Sequence, residues 1–244
     1  TFAFKEFGQC ALPFLPGFAS NPLGKMFGEK MQSYLPVLGI TERTAPEIET
    51  WMRELFEQLD AHFSEHPFLC GTMPCLGDFA LYGPLYAHVW RDPGWRENFE
   101  AYTHLNAWRI KLGSPSNING TFLENDDIPK TLWPILTRMF KEQFPTLIET
   151  VRRIENYLDE HENPKRFPRG LGELEFKLGN AQEKRKVMTF QQWMLQRSLD
   201  CYQGFEGADK ESVDQFLAEI GGYEAMQIQL KYRLTRKNFR VVPA

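Results

Sequence analysis

Cysteine is scarce in this chain: four residues in 244, namely Cys10, Cys70, Cys75 and Cys201. Four thiols cannot supply the disulfide framework of a small secreted domain. Cys70 and Cys75 are separated by four residues across a Gly and a Pro, which is neither the CxxC spacing of redox sites nor a zinc-binding pattern. Structural thiols in a reducing compartment are therefore expected, in the cytoplasm or an organelle interior rather than outside the cell. The five histidines include no pair at metal-ligand spacing with a matching carboxylate, so no metal site is expected. No apolar run approaches the roughly 20 residues of a membrane-spanning helix. Positive charge is not in excess: the net charge is -4, which argues against nucleic acid as the general partner. Gly71, Gly77 and Gly83 lack the Lys-Ser/Thr ending and preceding strand of a phosphate loop. Alternation of strands with helices, the mark of a parallel sheet, is missing as well.

Aromatic residues, in contrast, are plentiful. They make up 14% of the chain, with 20 Phe, which suits a ring-packed core or surfaces made to meet a partner. Residues 1–24 carry three prolines and three glycines and are expected to be an irregular lead-in, followed by a short helix over about Leu23–Leu35. Thr44 and Glu47 have capping-box spacing. Beyond them Ile48, Met52, Leu55, Phe56, Leu59 and Phe63 recur on one helical face, and His66-Pro67 ends the pattern.

The stretch His66–Asp92, HPFLCGTMPCLGDFALYGPLYAHVWRD, reads as a tight turn, a cap and a helix. Cys75 is the cap position and Asp78 stands where a carboxylate can bond back to the exposed amides of the first turn. Leu76, Phe79, Ala80, Leu81, Leu85, Tyr86 and Val89 are spread over almost every face, which predicts a fully buried helix. Gly83-Pro84 should bend it. Further helices are predicted over Asn98–Leu112, with Gly113 and Pro115 as its stop, and over Thr131–Glu160, kinked or split at Pro145. Asn117–Pro129 is polar. Alternation in Leu174, Phe176 and Leu178, the turn Gly179-Asn180 and a return near Lys184–Met188 predict a small hairpin. Helices over Thr189–Phe205 and Ala208–Ile220 follow. The end, Lys231–Ala244, holds Lys231, Arg233, Arg236, Lys237 and Arg240 and no acid. It is expected to run as a solvated basic tail along the surface, and the five residues are candidates for docking on an acidic partner.

The Phe68-Leu69-Cys70-Gly71 turn, the Cys75-Leu76-Gly77-Asp78 cap and the following Phe79-Ala80-Leu81 resemble the core of the C-terminal helical domain of glutathione transferases. That family has a Phe-Leu-x-Gly turn, a Ser/Thr-x-x-Asp cap and a buried central helix. The segments Asn21–Thr41 and Gln192–Tyr202 are similar to a subgroup with an extended C-terminus, so the resemblance runs over most of the chain. It implies an all-α bundle with a minor β-hairpin and extra C-terminal helices. The implied organisation is a helical domain over 1–160 and an extension over 161–244 packed on it.

The resemblance also implies a hydrophobic substrate wall at Phe27, Met31 and Tyr34 on the first helix. Cys75 departs from the family's Ser or Thr cap and is a weaker acceptor, which leaves the helix start leaning on Asp78. The family's glutathione site and catalytic Tyr, Ser or Cys lie on a thioredoxin-like domain whose ββα pattern is not found in this sequence. The chain starts with Thr, and a processed or partial chain is expected. No catalytic residue and no cofactor are therefore assigned within it, and glutathione is implied only together with such an N-terminal domain. The reading is a glutathione transferase-like accessory subunit with protein partners, in a multi-subunit complex or a homodimer. The alternative is a glutathione-dependent transferase acting on a hydrophobic electrophile once that domain is present.

Overall fold

The computed structural model describes residues 2–114, 119–162 and 164–244. The expected stop at Pro115 and the start of the polar stretch at Asn117 lie outside them. The chain is mainly helical. Its helices are α1 (Phe2–Ala11), α2 (Gly17–Gln32), α3 (Ala45–Glu65), α4 (Leu76–Pro84), α5 (Pro93–Glu100), α6 (Thr103–Gly113), α7 (Trp133–Arg138), α8 (Phe144–Glu160), α9 (Phe190–Gln203), α10 (Gly207–Glu219) and α11 (Tyr223–Met226). Two antiparallel hairpins accompany them: β1 (Glu173–Leu178) with β2 (Ala181–Lys186), and β3 (Leu234–Lys237) with β4 (Arg240–Pro243). Among the described residues no helix is long and apolar enough to cross a membrane.

The chain divides into two compact units. The first is Thr1–Glu47, Thr146–Ser198 and Gln229–Ala244; the second is Ile48–Pro145 and Leu199–Ile228.

In the first unit the lead-in is not irregular. It forms α1 and the beginning of α2, because small residues let the two helices meet backbone to backbone. A Cβ on Gly24 would stand 1.8 Å from the Phe4 carbonyl oxygen and 2.5 Å from the Gly8 nitrogen. Pro16 precedes the first turn of α2, where the fixed φ of proline suits a helix start, and Pro22 is carried inside at the loss of one backbone bond. The β1–β2 hairpin has the register Glu173↔Lys186 and Glu175↔Lys184, so opposite charges face each other across the strands. Gly179 takes φ 55° in its turn. The core of this unit is Ile154, Leu158 and Leu234, ringed by Tyr157, Phe167, Leu171, Trp193, Tyr232 and Val241.

The expected surface tail is the second hairpin, β3–β4. Buried glutamines of α9 hold it. Gln192 Nε2 donates to the Tyr232 carbonyl (2.8 Å), and Gln196 both donates to the Leu234 carbonyl (2.9 Å) and accepts its N–H (2.7 Å). These side chains satisfy strand groups that would otherwise be buried unpaired.

The second unit is built around rings. Phe56, Leu59, Phe63, Phe68, Leu85, Val89, Phe99, Leu105 and Trp108 form its core. Phe56 meets Phe99, Tyr102 and Trp95 edge-on, with centroids 5.4, 5.6 and 6.4 Å away. The single helix expected over 98–112 is two, α5 and α6, broken at Ala101-Tyr102. Pro84 ends α4 and Pro145 stands in the first turn of α8. Each lies at a junction with a wider π turn, Leu85–Trp90 and Met139–Gln143, where i→i−5 bonds such as Arg91 N–H to the Tyr86 carbonyl (3.0 Å) take over.

The fully buried helix is corrected. In α4 and its π continuation Asp78, Leu85 and Val89 are buried, with Leu81 and Tyr82 half-buried. The opposite flank is wet: Leu76 is 84% exposed, Phe79 55%, and Tyr86 is exposed too. An apolar sequence on every face reports what a helix can bury, whereas the packed neighbours within this unit cover one stripe only.

Candidate functional site

At the head of α4 the chain makes the Phe68–Gly71 turn. Gly71 takes φ 130° and bridges to Phe122, and a Cβ there would stand 2.6 Å from the Thr121 carbonyl oxygen, so only glycine fits. The buried Asp78 carboxylate gathers three N–H groups. Oδ2 accepts from the Cys75 amide at 2.9 Å. Oδ1 accepts from the Leu69 amide at 3.0 Å and from Trp108 Nε1 at 2.9 Å. One carboxylate thus ties together the turn, the start of α4 and α6.

Beside it lies His62, fully buried on α3. Its Nε2 faces the Phe68 carbonyl at 3.3 Å and its Nδ1 faces Thr131 Oγ1 at 2.7 Å. The assignment that satisfies both is Nε2–H donating to the carbonyl and Nδ1 accepting from the hydroxyl. Burial holds His62 below the usual histidine range, and the carbonyl bond pulls less strongly the other way. Burial, followed by the adjacent Cys75 thiol, pushes the Cys70 thiol up to about 11. The cluster therefore presents a saturated carboxylate, a neutral imidazole with both nitrogens engaged and a protonated thiol. That chemistry anchors structure and offers no activated nucleophile or poised base. Among the described residues no group of three His, Cys, Asp or Glu is placed to hold a metal ion.

The candidate substrate wall lies in the first unit. Phe27 and Met31 stand one turn apart on α2, and Tyr34 follows its end; all three are exposed. Met26, Leu35, Val37 and Leu38 around them are exposed as well. A cleft of about 490 Å³ on the α1–α2 hairpin is lined by Phe4, Lys5, Phe18, Asn21, Pro22 and Lys25, not by the three wall residues.

The five basic candidates lie along the C-terminal end, in β3–β4 and just before it. Lys231 Nζ pairs with Asp159 Oδ1 at 2.6 Å, and the Arg236 guanidinium lies 5.3 Å from the Trp193 ring centroid. The Asp159 carboxyl is held below its usual range by Lys231 first and by the Tyr232 hydroxyl second. Lys237 and Arg240 face each other across the β3–β4 turn. The Arg233 carbonyl accepts the Ala244 amide at 2.9 Å. Residue spacing gave no sign of the Gln192 and Gln196 clamp, nor of Trp108 as a partner of Asp78, since both pair residues far apart in sequence.

Residues 25–112 match the family described as glutathione S-transferase, C-terminal domain. The chain thus carries a glutathione transferase C-terminal-like domain over that stretch, with additional helices and two small hairpins outside it. No curated protein and no solved structure matches the chain.

Proposed function

We propose that this chain is a non-catalytic, structural member of a larger protein assembly, with its glutathione transferase C-terminal-like domain kept as a docking body. The observation that carries the proposal is the wet apolar flank of α4. Leu76 and Phe79 stand on one side of a helix whose other side is core, and both are more than half exposed. A flank of this kind on a folded domain marks a surface that another polypeptide covers. The exposed Phe27, Met31 and Tyr34 of the first unit supply a second such face. The partner is a protein, in a multi-subunit complex or a homodimer. All four cysteines are free thiols, which supports work in a reducing compartment, the cytoplasm or an organelle interior.

The test is native purification of the tagged protein, wild type beside Leu76→Glu and Phe79→Glu. The wild type should elute in a complex, and each variant should release it while keeping the wild-type melting temperature. A free monomer for the wild type, or variants that stay in the complex, would overturn the proposal.

The family match favours a second reading, a glutathione-dependent transferase. There a thioredoxin-like N-terminal domain supplies glutathione and its thiolate, and a hydrophobic electrophile rests against Phe27, Met31 and Tyr34. Retention of the full-length protein on immobilised glutathione, with conjugation of a test electrophile, would support it; passage through the column would count against it.

A further inference from the structure

The β3–β4 turn borders a cleft that neither reading uses. It belongs to the first unit and has a volume of about 620 Å³, which suits a small ligand. Three separate stretches of chain build it: Arg166 and Arg169 before β1, Thr189 and Phe190 at the start of α9, and Phe239 with Arg240 at the turn.

Every charged side chain lining the cleft is a guanidinium. Among the described residues no carboxylate pairs with Arg166, Arg169 or Arg240. Three unpaired cations around one concavity repel one another, and an anion between them relieves that. Thr189 adds a hydroxyl just ahead of the 14-residue α9, whose positive dipole end points the same way in charge.

The rings are placed at a cost. Asn238 and Phe239 form the two-residue turn inside the Lys237↔Arg240 pair, with φ 50° and 60°. Turns of that hand favour glycine at the second position, so a phenylalanine there is strained. Its ring is nevertheless 95% exposed, so burial does not compensate. Phe190, on another wall, is held by Trp193, with centroids 5.3 Å apart.

We propose that this cleft binds a nucleoside phosphate. The phosphate oxygens take the arginine forks and Thr189, and the planar base rests on the phenylalanine rings. Guanidinium forks match phosphate. The exposed rings select a ligand whose anion is joined to a flat apolar part, and the volume holds one such unit rather than a polymer.

Calorimetric titration of the whole chain at low salt tests this, with ADP, GDP and UDP as probes and adenosine, pyrophosphate and a hexaglutamate peptide as controls. At least one nucleotide should bind saturably, about tenfold or more tighter than each control. Arg166→Ala, Arg169→Ala and Arg240→Ala should each weaken it by about tenfold, the scale of one charge-assisted bond. Phe239→Gly should melt no lower than wild type, because the turn is relaxed, yet bind several-fold more weakly. No saturable nucleotide binding would overturn the proposal. So would binding that the peptide or pyrophosphate equals, or binding untouched by the arginine and Phe239 substitutions.

Discussion

Trp108 donates its indole N–H to Asp78 Oδ1 at 2.9 Å across thirty residues of chain. The same indole stacks on Phe63, with centroids 4.8 Å apart and planes 14° from parallel, and meets Tyr82 edge-on. Asp78 is therefore less a cap for one helix than the junction of three chain segments. A buried carboxylate is tolerated there because amide and indole donors replace its water.

Asp78→Ala should cost roughly 3–5 kcal/mol, because the buried Trp108 indole and two half-buried amides lose their acceptor together. Asp78→Asn should cost less, since one oxygen is kept, but its amide group opposes the Cys75 or Leu69 donor. Urea unfolding followed by tryptophan fluorescence reads both. A loss below roughly 1 kcal/mol for the alanine variant would mean that the carboxylate holds nothing together.

Much of the helical order was legible because the signals are local. The α3 face from Ile48 to Phe63 and the β1–β2 alternation need only neighbouring residues. Spacing places Asp78 three residues after Cys75, but it does not reveal Trp108 or Leu69. The prolines of the lead-in signal irregular chain, whereas the contact of Gly24 with Phe4 that makes it helical exists only once two helices meet. The β3–β4 hairpin is not legible locally, because it is anchored by Gln192 and Gln196 of α9, which bond Tyr232 and Leu234 from about forty residues away. The wet flank of α4 shows the limit of periodicity: it counts apolar residues and knows nothing of what covers them.

Cys70 should resist alkylation. With its thiol pushed up to about 11, its thiolate fraction at pH 8 is about a hundredfold below that of an ordinary cysteine, and greater intrinsic nucleophilicity recovers about tenfold of this. Iodoacetamide at pH 8, followed by peptide mapping, should label the exposed Cys10 and Cys201 about tenfold faster. Cys75→Ala should narrow the gap, because the neighbouring thiol is the second cause of the shift. Equal rates for all four cysteines would refute the assignment.

His62 should make stability depend on pH near neutrality. Its folded value lies below the 6.5 of an unperturbed histidine, so the folded state binds fewer protons than the unfolded chain. Its contribution is complete above pH 6.5 and is lost as pH falls through the lowered folded value. Unfolding free energies of wild type and His62→Gln should thus differ most at pH 8 and converge toward pH 5. A gap constant over that range would remove His62 as the titrating group.

Two glycine substitutions separate close packing from helix propensity. In Gly24→Ala the new methyl would meet the Phe4 carbonyl and the Gly8 nitrogen, both backbone atoms that cannot rotate away. Forcing α1 from α2 should cost roughly 1–3 kcal/mol. Gly83 lies inside α4, and beyond its chain neighbours nothing stands within 4 Å of a new Cβ; Pro84 crowds that Cβ from the next residue, so Gly83→Ala should gain less than the roughly 0.5–1 kcal/mol of helix propensity. For a chain of this size each kcal/mol moves the melting temperature by about 2–4 °C. Circular dichroism melts should therefore shift down for the first variant and up for the second. Limited trypsin digestion should meanwhile open the Lys5 and Lys25 sites in Gly24→Ala alone. If Gly24→Ala melts with the wild type and resists trypsin equally, α1 and α2 are not in the backbone contact described, and the lead-in is as loose as its prolines suggest.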